Sequence, residues 1–123
     1  MISYSTQPNS QVVELHVGGR VTNQELTDNI ERLKGDLDLH GKTRIIEIID
    51  HFTGIEPAAI LTDIKLGIPL AQKVSRVAVV ADQAWIRAAV NLGRVFTKAE
   101  IKAFAPIALA EARTWINETS SFH

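Results

Sequence analysis

The side chains able to do acid–base or ligand chemistry are few in this sequence. There are four histidines, His16, His40, His51 and His123. No two stand at the HxH or HxxxH spacing that turns two imidazoles onto one metal. With no cysteine, thiolate ligands, thiolate nucleophiles and disulfides are excluded together. Asp50 and His51 are adjacent, and neighbours in an extended chain point to opposite faces, so they do not read as an acid–base pair. No Ser/His/Asp order, P-loop or GxGxxG is present. The expectation is therefore no catalytic residue, no metal and no cofactor. Glu47, inside the run Ile45-Ile46-Glu47-Ile48-Ile49, is out of character; it is expected at the sheet rim or paired with Arg44.

Binding chemistry is better represented. On a helix, Trp85, Ala88, Ala89, Leu92 and Phe96 share one face, widened by Ile86, Val90 and Gly93, with Arg87, Asn91 and Arg94 opposite. An apolar face with Trp and Phe, opposed by basic residues, is the composition of an interfacial helix; an ordinary amphipathic helix on a sheet is the plainer alternative. A second helical segment holds Ile60, Leu61, Ile64 and Leu66, with Ile55 just before it, facing several directions. Side by side, the two helices would line an apolar cleft with Phe52 at its mouth; a plain core or a homodimer interface would consume the same side chains. The expected ligand-binding residues are Phe52, Ile55, Ile60, Ile64, Trp85, Ile86, Val90, Leu92 and Phe96, with Arg87 and Arg94 near lipid phosphates.

The elements that must position these residues can be read from periodicity. Lys42 to Asp50 carries four isoleucines in five positions, the pattern of a central strand buried on both faces. Asp50 to Gly54 is expected to leave the strand at its carboxyl end, where open α/β sheets place their ligands. Ile2–Thr6 and Val12–Val17 read as an antiparallel pair joined through Pro8-Asn9-Ser10, ending at Gly18-Gly19. Thr22 and Glu25 form a capping box for a helix whose buried stripe is Leu26, Ile30 and Leu33, closed by Gly35 or Gly41. Pro57 begins the second helix, and Gly67 with Pro69 predicts a kink or break. Val74–Ala81 is another parallel-type strand, and Asp82 is the expected cap of a helix from Gln83 to about Val95. Glu100–Phe104 suits an edge strand. Pro106 opens a last helix with Ile107, Ala110, Ala112, Trp115 and Ile116 towards the core; residues 118–123 read as a frayed tail.

At 123 residues this is one domain, large enough for a core of its own. A net charge of −1 argues against a broad nucleic-acid footprint. No stretch reaches the ~18 consecutive apolar residues of a membrane span. Met1–Ser5 has neither the basic nor the apolar region of a signal peptide, so a cytoplasmic protein, peripheral at the inner membrane face if at a membrane at all, is expected.

The order of these elements resembles the STAS domain, and more closely its SpoIIAA-like branch, itself related to the Sec14 or CRAL-TRIO lipid carriers. The likeness is carried by Gly18-Gly19-Arg20-Val21-Thr22, Ile45–Asp50 with Phe52-Thr53-Gly54, Asp63–Gly67, Arg76–Val80 with Asp82 and Trp85, Phe104, and Ala112 with Trp115-Ile116. The resemblance implies an α/β domain with a mixed, mostly parallel five-stranded sheet and about four helices, often a homodimer. It implies binding of a small hydrophobic or lipid-like molecule, or reversible membrane association, without a settled enzymatic activity; the expectation is a domain that is not an enzyme. The alternative it carries is a regulatory protein-interaction module of the anti-sigma-factor-antagonist type. There a phosphorylatable Ser precedes a Gly at this strand end; here Thr53 precedes Gly54, with His51-Phe52 in place of short polar residues. The plainer reading of Thr53 is a cap for the turn into the second helix.

Overall fold

The computed structural model describes residues 1–6, 11–41, 43–96 and 98–118, the Phe96 side chain excepted. The expected turn at Pro8–Ser10 and the tail from residue 119 lie outside the described residues. Strands β1 (Ile2–Thr6), β2 (Val12–Val21), β3 (Thr43–Ile55), β4 (Val74–Ala81) and β5 (Glu100–Phe104) form one sheet in that spatial order. β1 runs antiparallel to β2, and every later neighbour is parallel. Helices α1 (Asn23–His40), α2 (Pro57–Thr62), α3 (Ile68–Ala71), α4 (Ala84–Gly93) and α5 (Leu109–Asn117) complete the domain. A π-helical turn, Asp63–Gly67, joins α2 to α3 without a gap, so the described helices make four rods.

Successive crossovers step across the sheet in one direction, and crossovers of one hand leave their helices on one face. That face carries Ile45, Glu47 and Ile49 of β3 and receives α1, α3 and α4. α5 covers the opposite face, where Val12, Ile46, Ala78, Val80, Phe104, Ala112 and Ile116 form one buried cluster. Ile46 and Ile116 are fully buried there. The C-terminal end of α5 is held by two arginines: Arg76 donates to the Trp115 carbonyl at 2.8 Å and Arg44 to the Ile116 carbonyl at 2.9 Å. Cations at that end meet both the orphan carbonyls and the negative pole of the helix.

Local details depart from the sequence expectation in instructive ways. β2 does not end at Gly18-Gly19, and β3 does not end at Asp50. Both continue through an irregularity in which three steps of β2 (Val17 to Arg20) face five of β3 (Ile49 to Gly54). On β3 the surplus includes His51 with a φ of 56°, and across from it Gly19 of β2 has a φ of 61°. A Cβ at Gly18 would come within 2.8 Å of the Asp50 carbonyl oxygen, so only glycine lets the strands approach there. α1 has the expected capping box and runs through Gly35 to close on Gly41.

Asp82 does not cap α4; it accepts the His51 backbone N–H instead, and Gln83 takes the cap position without a side-chain cap bond. α4 also stops at Gly93, passing into a short 3-10 turn. Ile107 is 98% exposed rather than inward, because Pro106–Ala108 is a 3-10 turn whose three-residue period does not continue the face of α5. Among the described residues no helix is long and apolar enough to cross a membrane.

Candidate functional site

Strand parity decides where Glu47 goes. It shares a face with Ile45 and Ile49, opposite Leu15 of β2 and Val79 of β4. Arg44 is on the other face, occupied with α5. Glu47 is therefore neither at the rim nor paired with Arg44, which corrects the sequence expectation. It stands at mid-strand on the floor of an open cleft.

The cleft has two adjoining chambers. One, of about 340 Å³, lies under α1, the π turn and α3, with Leu15, Leu26, Ile30, Leu33, Leu70 and Val77 among its walls. The other, of about 400 Å³, runs towards Phe52, Ile55, Trp85, Ile86 and Ala89. Ile2, Val17, Leu26, Glu47, Asp63 and Val90 line both, so Glu47 and Asp63 mark the junction. They are the only ionisable side chains among the described lining residues.

Asp63 reaches this position through the backbone. Pro69 lacks an N–H and cannot bond back to Lys65 in an α-helical ladder. The ladder widens instead, and the Ile68 N–H bonds to the Asp63 carbonyl, five residues back. Gly67 leaves room for the Asp63 carboxyl, with which a Cβ at that position would collide. The backbone stays helical, so the expected break is a change of ladder and not a kink.

Placement in the cleft perturbs both acids. Walls of hydrocarbon strip much of the water from the part-buried Glu47 and, with the Asp63 charge adding to the effect, push its carboxyl up to about 7. Asp63 keeps part of its surface in solvent, and partial burial raises it above the ordinary carboxylate range. By contrast, Glu14 is held below that range by hydrogen bonds from His16 and Arg113 that outweigh its burial.

Of the residues expected to bind a ligand, Phe52, Ile55, Trp85, Ile86 and Val90 are brought together around the second chamber. Phe52 and Trp85 pack with ring centroids 6.3 Å apart, and Trp85 is 59% exposed at the outer edge. The Trp85 indole N–H donates to Gln83, whose amide in turn donates to the Phe52 carbonyl. Ile60, Ile64 and Leu92 are not brought in: they face solvent, Ile64 at 54% and Leu92 at 75% exposure. The Phe96 side chain lies outside what is described. Arg87 donates to the Ala81 and Asp82 carbonyls, while Arg94 is exposed near Glu100 and Trp115. Thr53 is exposed on β3, four residues before α2 begins, and so does not cap that helix.

Two groupings are not legible as sites in the sequence. Asp50, His51 and Asp82 present ligand atoms within 4.8 Å of one another at the strand ends. All three are exposed, and contacts among themselves account for the grouping: against the expectation of opposite faces, His51 meets Asp50 at 3.5 Å because its φ of 56° breaks the strand alternation, and its backbone N–H meets Asp82. The Glu47–Asp63 pair is the other. Its signal in the sequence is a lone acid among isoleucines, whose parity places it inward; the partner becomes visible only with the π turn.

A five-stranded mixed sheet with three crossover rods on one face and a closing helix on the other defines the class as an α/β domain covered on both faces of its sheet. The SpoIIAA-like family model matches residues 12–117, and the chain belongs to that family. Among solved structures it is similar to an uncharacterised protein with a SpoIIAA-like fold from Shewanella loihica. The TM-score is 0.75 at 21% identity, covering 94% of this chain and 92% of that one. It is also similar to the anti-sigma factor antagonist SpoIIAA in its unphosphorylated form, with a TM-score of 0.61 at 11% identity, covering 94% and 98%. At these identities the likeness is one of fold. Comparison with curated proteins finds no match.

Proposed function

We propose that this chain is a non-enzymatic binding domain whose cleft holds a small hydrophobic or lipid-like molecule. The observation that carries this reading is the pair of adjoining chambers between the sheet and its helices, walled almost wholly by hydrocarbon. Ligand sites are typically apolar and concave, with a few polar groups that fix orientation. Burying ~150 Å² of apolar ligand surface would contribute about 4 kcal/mol before the costs of association, enough for weak to moderate affinity. The test is native mass spectrometry of protein purified from its own cells, with Nile red fluorescence as a titration. Co-purified small molecules or saturable dye binding is expected; a bare mass and no dye response would refute the reading.

The outward apolar row Ile60, Leu61, Ile64, Leu66 and Ile68 beside α1 supports a further role at a surface, of which reversible membrane contact is the form we favour. Sedimentation with anionic vesicles should fall when Ile64→Ser and Leu66→Ser are combined; unchanged pelleting counts against it. The likeness to an anti-sigma factor antagonist and the exposure of Thr53 favour a second reading, a regulatory protein-interaction module. Intact mass of protein from cells should then show one phosphate, absent in Thr53→Ala.

A further inference from the structure

The polar content of the cleft is all of one sign. Glu47 and Asp63 stand at the junction of the chambers, and no Lys, Arg or His is among the described lining residues. Asn29, the remaining polar side chain, lines only the chamber beside α1, where its amide donates to the Glu25 carbonyl at 2.7 Å. From β2, β4, α3 and α4 the groups lining the cleft around Glu47 are apolar, α1 adds Asn29 to its hydrocarbon, and the charge acting on Glu47 is that of Asp63. Glu47 on the apolar floor and the more exposed Asp63 at the rim, with no cation among the described lining residues, oppose each other and their own ionisation.

The consequence is a strong preference about the guest. Ionised carboxylates only accept hydrogen bonds, whereas an ammonium only donates, with three N–H groups on one small centre. A fatty acid would bring a further carboxyl into a site that already resists negative charge, and a neutral alcohol would offset the charge of neither carboxylate. We infer that the guest of this cleft is a protonated amine on an alkyl or aryl body, its nitrogen between Glu47 and Asp63 and its body in the flanking chambers. This rests on the reading that the cleft takes a small apolar molecule. It goes beyond that reading by fixing the charge and hydrogen-bonding sense of the head group.

The test uses the full chain, Nile red as a neutral reporter of occupancy, and octylamine, octanol and octanoate as competitors of one length. Octylamine is expected to displace the dye at a concentration lower than octanol by about tenfold or more, the scale of a charge-assisted hydrogen bond; octanoate should be the weakest. Glu47→Gln combined with Asp63→Asn should bind the dye but lose the advantage of the amine. Glu47→Gln alone should lose part of it and serves if the double variant does not fold by circular dichroism. Dye binding with octanol as good as octylamine would overturn the amine inference and leave the apolar cleft standing. An amine advantage that survives in the variants would overturn the assignment to these two carboxyls. Failure of dye and all three competitors to bind would overturn the cleft reading and this inference with it.

Discussion

Replacing Glu47 by Gln should stabilise the protein at neutral pH, an unusual outcome for a polar residue at the centre of a sheet. The native carboxyl titrates near 7 because hydrocarbon surrounds it and Asp63 repels it; in the unfolded chain the ordinary value is 4.5. A carboxyl whose folded value is raised binds its proton more tightly in the native state than in the unfolded one. Its presence is therefore harmless at low pH and destabilising once pH exceeds the unfolded value, the loss growing until pH passes the folded value. From about pH 5 to about pH 8 the wild-type protein should lose about 2 to 3 kcal/mol from this group alone. Asp63 acts in the same direction and is present in both proteins. Glu14 and Glu25, held low in the native state, contribute in the opposite sense and mainly below the unfolded carboxylate value of 4.5. The assay is urea unfolding followed by tryptophan fluorescence at several pH values. The two curves should converge near about pH 5 and separate by about 2 to 3 kcal/mol near about pH 8, with Glu47→Gln the more stable. Parallel curves over that window would refute the placement of Glu47 in the cleft.

Thr22→Ala removes the oxygen that accepts the Glu25 N–H at the start of α1 and should cost about 1 kcal/mol in urea unfolding. Arg76→Ala takes a charged donor from the Trp115 carbonyl, which keeps only the Glu118 N–H at 3.2 Å, and strips a cation from above the Trp115 ring, 4.6 Å away; a loss of about 2 kcal/mol is expected by the same measurement. Ile46→Ala opens a hole on the face under α5, where the side chain has no exposed surface, and should cost about 2–5 kcal/mol. Gly67→Ala should leave stability within about 1 kcal/mol, the helix preference of Ala offsetting the contact. It should displace the Asp63 carboxyl, visible as a changed Asp63 titration in carboxyl-resonance NMR.

Much of the architecture is dictated by local sequence. The β3 isoleucines announce a doubly covered strand, and the Thr22–Glu25 box starts α1 where it is found. The features that escape local reading depend on register. Nothing near His51 signals that β3 carries two surplus residues against β2 there, since that arises from the pairing and not from either strand. Periodicity lines the cleft with Ile60 and Ile64 of the second helix, yet the rod made of α2 and the π turn lies beside α1 and turns both outwards. A wide apolar arc gives the number of greasy side chains but not the azimuth at which the helix settles. The polar half of the site is hidden because Glu47 invites a search for a basic neighbour in sequence, when its companion comes from a different element.

The π turn has a consequence for relatives of this chain. It holds one residue more than an α-helical path between Asp63 and Ile68 would use. A homologue that deletes a single position there, or replaces Pro69 and recovers a regular ladder, rotates the helix before that point by about 100° relative to the helix after it. The acid would swing off the junction even if an aspartate still aligned with it. Kinship at this position is thus better judged by ladder length than by residue identity.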